Sequence, residues 1–450
     1  NGTKLFSMAA ALRGQTSHVS SPARYEYNFL FVIAVSLAAF IGFELLLRAV
    51  DNFTPHGFGY RSRARWIVGS FIALLAAFEL YLRAIRFNHP MFNQLDPLVG
   101  WRPRAGVRGT YDRTGEEGTI EISINSAGYR DEEHTLTKPP GIFRIAILGD
   151  SLTEAREVHL EQTFWKRLEK ILPAESFSGR KVEVLNFSVN GYGTAQEYLI
   201  LPEVLKYSPD LVLLAFFSGD DVTSNSLTLN PHRNRPVFGI VDGKLTLVYK
   251  PGDTPDFVKE AQRKEVRQRL LDDIRVYQFI RERRLSLRSL SRSLKRLRGK
   301  SQPLRSYLDL NDVNLGIYSP PKNEAWIEAW RVTEELLLAI NQTVREHGGQ
   351  FMFVTLSNPI QVTPDIALRA KACEILGVIN LTYPGERLAE FARTHDIPCI
   401  ILAHRLAQYA ADSQTDIHLF THEGADPHYR AATHDFIAQE IARAIEALKP

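Results

Sequence analysis

The chain has 450 residues, 44% hydrophobic and 23% charged, an ordinary globular composition with ample length for a buried core and two or three domains. Disordered, collagen-like and low-complexity classes are excluded. With 54 Lys+Arg against 51 Asp+Glu the net charge is only +3, so no global field draws nucleic acid.

Cys373 and Cys399 are the only cysteines, which excludes a disulfide scaffold and any Cys-built zinc site. The pair reads as two small buried thiols rather than one bridge. The first residue is Asn, which implies a preceding segment.

After an N-terminal segment, 1–27, two apolar runs follow. Residues 29–47 read FLFVIAVSLAAFIGFELLL with one charge, Glu44, and residues 66–82 read WIVGSFIALLAAFELYL with one charge, Glu79. A spanning helix needs roughly 20 apolar residues, with about 17 as the short limit. Flanking aromatic and Arg residues extend each run at the interface. Buried core helices are the alternative, but these normally keep a polar stripe. The reading is a transmembrane hairpin over residues 28–87, with helices at about 29–48 and 66–86.

The stretch from Phe43 to Val50, FELLLRAV, recurs 35 residues later as FELYLRAI from Phe78 to Ile85, so each run ends in a Glu and an Arg able to pair on one helical face. The connection 51–65 carries Arg61, Arg63 and Arg65 against Asp51, which favours a cytoplasmic loop and an external remainder.

Residues 88–140 read as a connector with short β structure, including a strand at 119–124. Beyond it, short apolar runs alternate with helical patterns. Strands are expected at 143–148, 182–187, 211–217, 351–356 and 398–402. Helices are expected near 161–173, 195–206, 323–347, 384–394 and 430–447. The unbroken run LVLLAFF at 211–217 has the look of a central strand buried on both faces. Such alternation argues for an α/β fold with a parallel sheet and helices on both sides. Functional groups then belong at the carboxyl ends of the strands.

A basic insertion spans about 226–322. From Arg263 to Lys300 it carries 14 Lys+Arg and four acids, with Leu285, Leu287, Leu290, Leu294 and Leu297 at helical spacing. It reads as an amphipathic helix on an anionic membrane surface, or as a solvated insertion packed by its Leu face. Nucleic-acid binding is the weaker reading, because Tyr277 and Phe279 are its only stacking platforms.

Four strand-end segments carry candidate chemistry. Gly149-Asp150-Ser151-Leu152 puts a hydroxyl on the turn after the first strand, a candidate nucleophile. Asn190-Gly191 follows the second strand, and Gly191 can offer an open backbone N–H to an oxyanion. Ser218-Gly219-Asp220-Asp221 follows the third. Asp426-Pro427-His428 precedes the last helix, where an Asp can orient the imidazole of a general base. Each alone is an ordinary turn or helix-start sequence.

Together, in this order, they resemble the blocks of the SGNH/GDSL hydrolase family over roughly residues 141–445. The resemblance implies a three-layer α/β/α domain, 141–450, that cleaves or transfers acyl esters. It implies Ser151 as nucleophile, Asp426 and His428 as its triad partners, and an oxyanion hole of the Ser151 N–H, Gly191 and residue 220. Asp220 departs from the pattern, which has an Asn donor there; an ionised carboxylate cannot donate and repels an oxyanion. A neighbouring carboxylate can raise a pKa enough to keep a proton and restore a donor.

His404, His418, His422 and His434 lack ligand spacing and read as surface or capping residues rather than metal ligands. No Walker loop or Rossmann fingerprint is present, so no metal and no nucleotide cofactor is expected. The resulting expectation is a membrane-anchored serine esterase or acyltransferase. It would sit in the inner membrane with its domain on the periplasmic or extracytoplasmic side. Its partners would be the lipid bilayer, an acyl-ester substrate of envelope glycan or lipid, and other membrane-protein subunits, with no nucleic acid. The alternative is an impaired domain of the same fold serving as a structural or assembly subunit.

Overall fold

The computed structural model describes residues 60–111, 118–231, 234–284, 315–421 and 424–448. The first apolar run, Glu44 with Arg48, and the Leu–Arg stretch 285–300 lie outside the described residues. The second run lies in a helix, α1 (Tyr60–Ala84), which continues six residues upstream into the stretch read as a loop. Its segment Trp66–Ala84 is 19 residues long with mean hydropathy 1.7, long and apolar enough to cross a membrane, and only 6% of its residues are buried. The expected Glu79–Arg83 pair is formed, at 2.7 Å.

The connector folds as two small antiparallel pairs, β1 (Asn93–Asp96) with β2 (Gly100–Pro103) and β3 (Arg108–Tyr111) with β4 (Ile120–Ser123). Alternation in β4 explains the second pair, since Ile120 and Ile122 point inward to Ile124 and Phe92 while Glu121 and Ser123 face out.

The body is a five-stranded parallel sheet. Its strands are β5 (Ile142–Gly149), β6 (Lys181–Asn186), β7 (Leu211–Phe217), β10 (Gln350–Leu356) and β11 (Cys399–Ile401), in the order β11-β10-β7-β5-β6. The sheet is covered on both faces, which is why its central strands are unbroken apolar runs. On β7, Val212, Leu214 and Phe216 join one core while Leu211, Leu213, Ala215 and Phe217 join the other.

The short helix α2 (Ser151–Glu154) follows β5 directly. Helix α3 (Phe164–Ile171) lies on the second face with the C-terminal helix Ala431–Ala447. Helix α4 (Thr194–Leu205) lies on the first with helix Glu324–Glu346. The result is a three-layer α/β/α architecture. After β5 the chain adds β6 on one side and then β7 on the other. The crevice at the carboxyl ends of β5 and β7 is therefore the topological switch point, where open α/β sheets hold ligands.

The insertion is partly built on this body. The hairpin β8 (Val237–Val241) and β9 (Lys244–Tyr249) seats Phe238 on Ala195, Val332 and Leu336. Helix Pro255–Leu271 packs on β1, with the Gln268 amide donating to the Asn93 carbonyl at 2.8 Å. The following helical stretch, 275–284, is capped from outside, because Glu79 of α1 accepts the Arg275 and Val276 N–H groups at 3.1 and 2.8 Å. Thus Phe257 and Gln268 of the first helix and the start of the second touch the protein, while the leucines of the expected amphipathic face, Leu285 to Leu297, lie outside the described residues. Cys373 and Cys399 are free and half-buried against one core.

Candidate active site at the sheet switch point

Gly149 ends β5 where a Cβ would meet the Thr153 hydroxyl at 2.5 Å, so the turn into α2 excludes a side chain. Asp150 caps that turn, its Oδ1 accepting the Leu152 N–H at 2.9 Å. Ser151, half-buried, is the first residue of α2. The loop behind it is held by Arg130, fully buried, which donates to the carbonyls of Glu154, Ala155 and Val158.

Glu154 links this turn to the next strand end. Its Oε1 takes two hydrogen bonds from Arg156, and its Oε2 accepts the Asn190 N–H at 2.7 Å. Gly191 has φ +76 and lies against Trp101, whose indole edge is 3.1 Å from where a Cβ would be. The Trp101 indole N–H donates to the Asn190 carbonyl at 2.9 Å, and the Tyr192 hydroxyl to the Trp101 carbonyl at 2.7 Å. A connector strand therefore fixes the Gly191 loop.

At the end of β7, Asp220 is half-buried and Asp221, fully buried, accepts the Phe217 N–H at 2.7 Å. Asp220 belongs to a group of four carboxyls with Asp150, Glu197 and Asp221. Burial pushes Asp150 up to about 8, with the Asp220 charge adding to it and the Leu152 N–H and His428 opposing it. Burial likewise pushes Glu197 and Asp221 well above the usual carboxylate range, and the neighbouring carboxylates, Asp220 among them, push further. Burial and mutual repulsion thus both favour the protonated forms of these carboxyls.

The last strands are a hairpin, β12 (His418–Thr421) and β13 (Gly424–Tyr429), and β13 packs against α2. His428 is half-buried there. The side chain of Asp426 lies outside the described residues. Among the described residues Glu157, 97% buried, stands by His428, with Oε1 3.8 Å from Nδ1. Tyr111 of β3 donates to the same oxygen at 3.2 Å.

For two histidines the surface expectation is corrected, although His434 does cap, at the first N–H of helix Phe164–Ile171. His418 is buried and its Nδ1–H donates to the Pro427 carbonyl at 2.6 Å, bracing the strand that carries His428. His434 is buried against Phe164, accepts the Phe164 N–H, and is pushed down to about 3 chiefly by burial. Neither is a surface residue, because the hairpin and the last helix close the second core over them. Among the described residues no cluster of three or more His, Cys, Asp or Glu is arranged to hold a metal.

Ser151, Gly191, Asp220 and His428 thus lie on segments that converge at one end of the sheet. Sequence reasoning missed Glu157, Glu154, Glu197 and Trp101. Only Glu197 had a signal, since it falls three, four and seven residues before Ile200, Leu201 and Val204, the buried stripe of α4.

No family model matches the sequence, and no curated protein is similar to it. Several solved structures are similar in outline. One is the acetyl xylan esterase AlAXEase, with 12% identity, TM-score 0.34, and 67% of this chain and 98% of that one covered. A second is the lipase Lip_vut3 from a goat rumen metagenome, with 12% identity, TM-score 0.32, and coverage of 67% and 97%. A third is the acetylxylan esterase Axe2 from Geobacillus stearothermophilus, with 10% identity, TM-score 0.32, and coverage of 67% and 93%.

Proposed function

We propose that the chain is a membrane-anchored serine ester hydrolase or acyl-ester transferase. Ser151 would attack the acyl carbonyl, His428 would take its proton, and Asp426 would orient the imidazole. The N–H groups of Ser151 and Gly191 would hold the oxyanion, with residue 220 as third contributor. The acyl-serine would then pass to water or to a sugar or lipid hydroxyl of the cell envelope. The single observation that carries this reading is the packing of β13, with His428, against the Ser151 turn at the switch point.

The test is labelling of the purified chain by a fluorophosphonate probe. Adduct on Ser151 that disappears in Ser151→Ala is the expected result. An unlabelled, folded protein would overturn the assignment.

Anchoring rests on Trp66–Ala84. An alkaline phosphatase fused after residue 450 should be active if the domain is external. A reporter active only in the cytoplasm would reverse the orientation.

One observation favours a second reading, an impaired domain kept as a structural or assembly subunit of a membrane complex. The Asp220 carboxylate, whose charge raises its neighbours Asp150, Glu197 and Asp221, would itself repel an oxyanion there.

A further inference from the structure

A cavity of about 600 Å³ opens where α1 ends, walled by that helix end, β3, β4 and the start of the 275–284 helix. Four arginines line it, Arg83, Arg86, Arg108 and Arg275, against one acid, Glu121. Arg83 is already engaged by Glu79 and by the Asp273 carbonyl, at 2.7 and 2.8 Å. The guanidinium groups of Arg86, Arg108 and Arg275 make no hydrogen bond or ion pair with any described residue. Arg275 is held below the usual arginine range by burial and by the Arg83 charge, with Asp273, Glu79 and Asp272 acting the other way.

A guanidinium does not shed its proton at neutral pH, and the nearby acids, Glu79, Asp272 and Asp273, lie toward Arg83 and Arg275, so Arg86 and Arg108 leave N–H groups open to an anion. Planar N–H forks match phosphate oxygens two at a time. Asn88 and Thr110 add polar groups to the same wall. The position decides which anion is at hand. The cavity adjoins the end of an apolar 19-residue helix whose Phe71, Ile72 and Leu80 are at least 60% exposed. A helix that spans the hydrocarbon core ends among the headgroups, where lipid phosphates lie.

We propose that this cavity binds the phosphate of an anionic lipid headgroup. The inference rests on the membrane-anchored reading and is independent of the hydrolase chemistry. It differs from a general attraction of the basic insertion to membranes, because three of its four arginines lie outside that insertion. Glu79 fixes the 275–284 helix to α1, so Arg275 and Arg83 are set in place before any ligand arrives.

The test uses the full chain extracted in neutral detergent, with native mass spectrometry counting retained phosphatidylglycerol and phosphatidylcholine of equal chain length. The wild type should retain phosphatidylglycerol preferentially. Arg86→Gln with Arg108→Gln, which removes two side chains lacking protein partners, should weaken that binding by about 30-fold. Arg275→Gln is the second variant, and an unchanged melting curve shows that each is folded. Equal retention of the two lipids, or full retention by the folded variants, would overturn the proposal. Inorganic phosphate raising the melting temperature at the concentrations at which the lipid does would reassign the site to a free anion. Recovery of the chain in the soluble fraction would overturn the anchored reading itself, whereas a membrane-bound chain without lipid preference would overturn only this one.

Discussion

Two like-charged clusters flank the connector, and the chain treats them in opposite ways. At the sheet top, Asp150, Glu197, Asp220 and Asp221 gather in a largely buried crevice. At the end of α1, Arg83, Arg86, Arg108 and Arg275 surround an open cavity. Carboxyls have ordinary pKa values near 4, so crowding and burial can be answered by keeping a proton. Arginines have no such recourse within the physiological range and need a counter-ion. Like charge therefore changes protonation in one place and calls for a ligand in the other. Strand β3 touches both regions, since Arg108 lines the cavity and Tyr111 holds Glu157 beside His428.

The largest effect expected tests whether the acidic region is a catalytic site at all. Ser151→Ala and His428→Ala should each reduce ester turnover by about 10⁴-fold or more, and the double variant should be no worse, because the two act as a unit. Hydrolysis of p-nitrophenyl acetate that survives Ser151→Ala would end the assignment.

Next comes the acid that orients His428. If Glu157 shares this task with Asp426, neither Glu157→Gln nor Asp426→Asn should reach the roughly 10⁴-fold loss typical of removing a sole orienting acid, whereas the pair should. Glu157→Asp should recover part of the loss. A full-sized effect from Asp426→Asn with none from Glu157→Gln would leave Glu157 a packing residue.

Asp220→Asn sharpens the contrast directly by removing one charge with little change in shape. In a competent enzyme weakened at this position, kcat should rise roughly 10-fold or more, within the range of one oxyanion donor. If Asp220 is instead protonated and donating, wild-type activity should fall with rising pH and the Asn variant should not. A high, pH-flat activity that drops on substitution would mean a positive role for the carboxylate.

Stability should register the same cluster. Asp150 has a folded-state pKa raised to about 8 from 3.8, so the folded chain binds the extra proton. The stability this gives is complete below about pH 4 and is lost as pH rises through about 8. Glu197 and Asp221 act in the same direction. Melting temperature should therefore decline across that window, and less steeply in Asp220→Asn. A flat profile would mean that these carboxyls are not buried together.

The smallest effect belongs to the arginine side. Glu79→Gln removes the charge that accepts the Arg275 and Val276 N–H groups and pairs with Arg83, and should cost about 1 kcal/mol in a denaturant melt. An unchanged midpoint would mean that the cavity wall does not depend on this contact.

Much was legible in the sequence, for local reasons. Burial on both faces writes itself as unbroken apolar runs, so β5, β7 and β10 were readable within a residue or two, and helix Glu324–Glu346 was readable from its period. Strand-then-helix alternation gave the parallel sheet, and strand ends carry the turn residues that marked Ser151, Gly191 and Asp220. The hairpins β1–β2 and β12–β13 were not readable, because their short strands mix polar and apolar residues; β8–β9 went unread although Asp242-Gly243 between an apolar and an alternating run marks its turn.

Glu157 beside His428, the four carboxyls in one crevice and the four arginines around one cavity join residues up to 271 positions apart. Their pairing depends on distance and desolvation, which no local pattern encodes. Sequence alone determined which residue types stand at the strand ends. Only the folded chain decided which charges share a space, because burial and proximity arise when the layers close.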